Sequence, residues 1–135
     1  NLQNAHYTSA IKNYTKSLNL DPNNPVAYNN RGVAYSKLEN PQNAIDDFTR
    51  AIQINPDYAM AYLNRSNEYG FLGDYQKTIS DLTEIIRIDP FQPWIYSERA
   101  FAKQLSVLPY CEDYKTACEL DTNYCEFYRG LMGCK

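Results

Sequence analysis

Histidine occurs once in these 135 residues, at His6, and the five glycines form no run. A lone imidazole near the start of the chain leaves no Ser/His/Asp or Cys/His arrangement to assemble, and His6 reads as a solvated surface residue. Without a glycine-rich loop there is no cradle for phosphates. Lysine and arginine number 13 against 16 acidic residues, a net charge of -3, so the basic stripe that nucleic-acid binding requires is missing. No apolar stretch approaches bilayer-spanning length, which argues against a membrane segment. The opening lacks a basic region followed by an apolar core, so no signal peptide is read there. No catalytic residue, metal ligand or cofactor can be nominated, and binding remains as the expected role.

What the chain does have is a period. Pro22, Pro56 and Pro90 stand 34 residues apart, each preceded by Asp or Asn. A fixed period of this length marks a helical-repeat array. Residues around the prolines recur in phase: Ala27-Tyr28 as Ala61-Tyr62, Asn30-Arg31 as Asn64-Arg65, and Tyr35 as Tyr69. Ile45, Asp47, Thr49, Ile52 and Ile54 return as Ile79, Asp81, Thr83, Ile86 and Ile88, and the third unit keeps Tyr96 and Arg99. Each unit reads as two amphipathic helices. Asn24-Pro25 and Asn40-Pro41 supply an N-cap with proline at the first helical position. The second unit predicts helices near 59–71 and 75–88, with Gly73 in the left-handed position that closes the first and Asp74 capping the next. Asp46, Asp47, Asp81 and Glu84 are expected on exposed faces as solvated charges. The 13 tyrosines suit stacked helices, which bury the ring while the hydroxyl stays hydrogen-bonded.

These residues resemble the tetratricopeptide repeat (TPR) family, in which an aromatic, a small residue and a second aromatic mark the first helix. Here they are Tyr28, Gly32 and Tyr35, then Tyr62, Ser66 and Tyr69, then Tyr96 and Ala100. In the second helix Ala44, Phe48, Ala51 and Pro56 match fully, while Thr78, Leu82, Ile85 and Pro90 match loosely. The resemblance implies an all-α, right-handed superhelical α-solenoid of antiparallel helix pairs with a C-terminal capping helix. The chain divides as a truncated repeat over 1–24, repeats over 25–58 and 59–92, a divergent repeat over 93–122 and a capping helix over 123–135. In the divergent unit, Lys103 stands where the family prefers a large apolar residue, and its second helix is expected from Pro109 to about residue 120. Residues 7–20 read as the second helix of a repeat whose first helix is missing, so the chain is expected to begin inside a larger protein. The exposed face of that helix is expected to self-associate.

All four cysteines fall near the end. Cys111 and Cys118 lie seven apart on one helix, about 10.5 Å by helical rise, too far to bond each other. An antiparallel return after Asp121 favours nested pairs, Cys118 with Cys125 and Cys111 with Cys134. Disulfides, buried reduced thiols and a zinc site all remain open, although the spacing lacks the usual zinc pattern. Oxidised cysteines would imply an exported or periplasmic protein, reduced ones a cytoplasmic protein. Cysteine-bearing helical hairpins also resemble the Sel1-like relatives of the family.

The resemblance implies a concave face lined by first helices, which binds a protein partner or extended peptide. The candidate peptide-binding residues are Asn30, Leu63, Asn64, Asn67, Phe71, Trp94 and Phe101. An amide offers both donor and acceptor, so Asn30 and Asn64 suit a peptide main chain. Leu63, Phe71, Trp94 and Phe101 suit its apolar side chains. Two rivals stand beside this: the asparagines bond within their own repeats or are solvated, and Trp94 and Phe101 pack against the cap. A subgroup of the family clamps chaperone C-terminal carboxylates with Lys, Arg and Asn. Only Asn matches here, while Trp94 and Glu98 occupy the corresponding third-repeat positions, where a carboxylate would be repelled. The alternatives to peptide binding are a structural module that oligomerises through the N-terminal helix, or a regulatory appendage of a larger enzyme.

Overall fold

Asparagine, aspartate and proline decide where the helices start and stop. In the computed structural model, which describes residues 2–126 and 134, α1 (Leu2–Leu20), α2 (Pro25–Lys37), α3 (Pro41–Ile54), α4 (Ala59–Phe71), α5 (Tyr75–Ile88), α6 (Pro93–Leu105) and α7 (Cys111–Leu120) follow in order, then a 3-10 turn over Thr122–Tyr124. No strand occurs among the described residues. Asn24, Asn40 and Asp74 accept from the backbone N–H of Ala27, Asn43 and Lys77, capping α2, α3 and α5. Between repeats, Asp21, Asn55 and Asp89 each accept from the N–H two residues on, at 3.1–3.2 Å, folding a tight side-chain turn across the proline. The helices near 59–71 and 75–88 stand where the sequence puts them.

Within each helix pair the chain turns by one device. The N–H of Asn40 donates to Tyr35, of Asp74 to Tyr69, and of Leu108 to Lys103, at 2.8–3.0 Å, closing each first helix with a bond back to the fifth residue before. The residue preceding each donor is left-handed: Glu39 at φ 56°, Gly73 at φ 78° and Val107 at φ 57°. These positions are again 34 apart. Only the middle repeat places glycine there.

The contacts divide the chain into two compact units, Asn1–Glu68 and Tyr69–Lys135. In the first, α2 packs against α1 and α3, and Gly32 of α2 faces the ring of Phe48 on α3. A Cβ at Gly32 would stand 2.6 Å from the ring of Phe48, which is 1% exposed, so the ring fills the space that glycine vacates. In the second unit α6 packs against α5 and α7, with Ala100 and Tyr114 buried in the corresponding places.

Asp47 and Asp81 are buried, which corrects the expectation of solvated charges; Asp46 is exposed and Glu84 half-exposed. Arg31 grips Asp47 with two bonds of 2.7 Å and donates a third to Thr15 of α1 at 3.1 Å. That bond to Asp47 is the main reason the Arg31 guanidinium holds its proton more strongly than usual. Arg65 donates to Thr49 at 2.9 Å. Arg99 repeats the full pattern, binding Asp113 at 2.7 and 2.9 Å and Thr83 at 3.0 Å. Each arginine also lies 5.5–5.8 Å from the ring centre of the tyrosine three residues before it, Tyr28, Tyr62 and Tyr96. Lys103, far from being an unfilled apolar position, joins the third cluster at 2.8 Å from Asp113.

The divergent unit differs at its second helix. α7 begins at Cys111 rather than Pro109, and Asp113 is its third residue where Asp47 is the seventh of α3. Two residues fewer and a longer connection together remove the first turn of α7. Cys118–Cys125 and Cys111–Cys134 lie at disulfide distance, with Sγ–Sγ separations of 1.92 and 1.94 Å. The expected capping helix over 123–135 lies mostly outside the described residues; Cys125 and Glu126 are helical.

Two outcomes follow for stability. Asp47→Ala leaves Arg31 without its carboxylate in a buried site, and urea denaturation is expected to show a loss of about 3 kcal/mol. Val107→Gly removes a β-branched residue that is 92% exposed from a left-handed turn. It is expected to stabilise the fold by up to about 1 kcal/mol in the same assay.

Candidate functional site

In the first unit the candidate amides form a chain. Asn64 Nδ2 donates to Asn29 Oδ1 at 2.9 Å, and Asn29 Nδ2 donates to Asn30 Oδ1 at 3.5 Å. Asn29 is buried, whereas Asn30 and Asn64 are half-buried. Asn30 thus bonds within its own repeat, as the rival expectation has it, whereas Asn64 bonds to the preceding repeat. Each terminal residue still keeps one polar atom uncommitted. Asn64 Oδ1 can accept and Asn30 Nδ2 can donate, the complement of a peptide N–H and C=O.

Asn64 and Asn67 stand with Val33, Lys37 and Glu68 around a hollow of about 190 Å³, and the Ser36 hydroxyl donates to the Glu68 carboxylate beside it. Asn30 borders a second hollow of about 280 Å³, whose other side is His6, Tyr7, Ala10 and Tyr14 of α1. Leu63 is half-buried on α4 and takes no part in either hollow. His6 is exposed, its ring edge-on to Tyr7 at 5.7 Å.

The second unit holds the remaining candidates. Phe71 stands 83% exposed at the end of α4, and Trp94 and Phe101 lie on α6. Those two share a face of α6 with Ser97 and Glu98, at helical spacings of three, four and seven. Trp94 donates its indole N–H to Gln92 at 3.1 Å. Phe101, half-exposed, lines a hollow of about 260 Å³ with Ser97, Glu98, Tyr114 and Tyr124. Burial, then the neighbouring Tyr110 and Glu98, push the Tyr114 hydroxyl above its usual pKa, so it stays a protonated donor at neutral pH.

Two residues lining this hollow escaped the sequence reading. Tyr114 reads as an ordinary core aromatic. Tyr124 lines the hollow beside Cys125, which is at disulfide distance from Cys118. Among the described residues no group of His, Cys, Asp or Glu could hold a metal ion, and no helix is long and apolar enough to cross a membrane.

Comparisons with known proteins agree with this architecture. Family models of the tetratricopeptide repeat match residues 25–58 and 59–92, and a further TPR model matches residues 6–39. No curated protein sequence matches significantly. Among solved structures, a crystal structure of MamA protein is 27% identical with a TM-score of 0.80, over 93% of this chain and 70% of that one. The first TPR of Spaghetti (RPAP3), bound to the HSP90 peptide SRMEEVD, is 28% identical with a TM-score of 0.71, over 76% of this chain and 82% of that one. MamA of Desulfovibrio magneticus RS-1, at 17% identity and a TM-score of 0.77 over 90% of this chain and 72% of its own, shares the fold alone. The matched family models stop at residue 92, so the Sel1-like reading of the cysteine-bearing end gains nothing from them. With repeat models matched across residues 6–92 and repeat proteins among its structural neighbours, the chain belongs to the tetratricopeptide-repeat family and has its α-solenoid fold.

Proposed function

We propose that this chain is a non-catalytic protein-interaction scaffold that holds an extended segment of a partner along the first helices of its repeats. The observation that carries the reading is the chain of amides through Asn64, Asn29 and Asn30, which leaves one acceptor and one donor at its ends. Asn67 and Leu63 flank those ends in the first unit. In the second, Phe71, Trp94 and Phe101 offer exposed rings for apolar side chains. The Spaghetti TPR, a relative by fold, is bound to the acidic peptide SRMEEVD. An acidic tail suits this chain poorly, because Glu98 stands exposed between Trp94 and Phe101.

The test is a double variant, Asn64→Ala with Phe101→Ala. A partner captured by the wild-type chain from its source lysate is expected to bind about tenfold more weakly, with helicity by circular dichroism unchanged. Undiminished binding overturns the surface.

One further observation supports a second reading, self-association through α1. Only Leu18 of its 19 residues is buried, and the 280 Å³ hollow against α2 is open. Light scattering is expected to show a mass that rises with concentration. A constant monomer mass at high concentration removes this reading.

A further inference from the structure

The hollow between α6 and α7 differs from a simple apolar slot in three ways. Glu98 stands at it with no hydrogen bond or ion pair among the described residues. Ser97 Oγ is buried beside it without a hydrogen-bond partner. Such an oxygen has given up water and received nothing in exchange, a cost that a ligand able to donate to it removes. Among the described residues the remaining walls are rings: Phe101 half-exposed, Tyr114 buried and Tyr124 half-buried. The nearby cations are engaged elsewhere, since Arg99 and Lys103 are both held by Asp113. Among the described residues the hollow thus offers a carboxylate without a cation, an unsatisfied hydroxyl and aromatic faces, and no positive charge lines it.

We infer that this hollow is a pocket for an arginine side chain of the bound partner. This deepens the scaffold reading and rests on it. A guanidinium is the group that satisfies all three features at once. Its plane stacks on the Phe101 and tyrosine rings, and its fork of five N–H donors reaches both Glu98 and Ser97 Oγ. A lysine ammonium would meet the carboxylate but has no plane to lay against the rings. A neutral aromatic would leave Glu98 facing apolar surface, and an acidic side chain would be repelled. At about 260 Å³ the hollow is large enough for one such side chain and too small for a folded element. Trp94, one turn before Glu98 on the same helix, is placed to cover the ligand's backbone side, and it is the only tryptophan in the chain.

That single indole is the reporter. The wild-type protein is titrated with the peptide acetyl-Gly-Ala-Arg-Ala-Gly-amide and with counterparts carrying citrulline or glutamate in place of arginine, following Trp94 fluorescence and the amide resonances of Ser97 and Phe101. The arginine peptide is expected to saturate. Citrulline, equal in shape but uncharged, is expected to bind about tenfold more weakly, and glutamate not at all. Glu98→Gln is expected to bring the arginine peptide down to the citrulline level, while Glu119→Gln, exposed on α7 outside the hollow, changes nothing. Equal binding of arginine and citrulline, no saturation by arginine, or no effect of Glu98→Gln overturns the pocket. A partner that still binds the Glu98→Gln protein but loses affinity on Asn64→Ala with Phe101→Ala refutes the pocket and leaves the scaffold standing.

Discussion

The architecture depends on one arrangement, an arginine on a first helix that must reach a buried carboxylate on the second. Asp47 and Asp113 are 6% and 4% exposed, and a carboxylate so enclosed is tolerable only when paired and fully hydrogen-bonded. Arg31 and Arg99 meet that need with two bonds each, and spend a further N–H on the threonine of the preceding second helix. Three helices are thereby joined at one guanidinium. The rigid fork admits little sliding, so it fixes helix register more sharply than apolar contact alone does. The tyrosine beneath each arginine limits its rotamers further.

The third repeat shows how firm that requirement is. It is two residues short and has lost the first turn of α7, yet Asp113 still meets Arg99. The deletion is absorbed in the connection and the helix start, where backbone can be rearranged, and not in the packed middle. Lys103 adds a second cation to the same carboxylate. The interlock of Gly32 with Phe48 plays the complementary apolar part in the first unit.

Local chemistry explains what the sequence made legible. Asx turns, N-caps and left-handed closing residues act within five positions, so Asn24, Asn40, Gly73 and Asp74 announce their helices without tertiary knowledge. The nested cysteine pairs were legible too, because an antiparallel return restricts which positions can face. Asp47 and Asp81 were misread because helical amphipathicity places a charge outward; for Asp47 the arginine that permits burial, Arg31, is 16 residues away on another helix. The recurrence of arginine, aspartate and threonine at one period was visible, but their mutual geometry was not. At the candidate site, Asn30 and Asn64 were picked out by recurrence, whereas Tyr124 lies beyond the last repeat, where no period points to it.

The cysteine links have a consequence for how the chain comes apart. In arrays whose layers touch only adjacent layers, loss of order begins at an end and travels inward. Here α7 is fastened near both its extremities, at Cys111 and at Cys118, to the segment that follows it. Covalent closure removes much of the freedom that fraying would gain at that side. Melting is thus biased to start from α1, where only one side chain is buried, and to reach the tethered hairpin last.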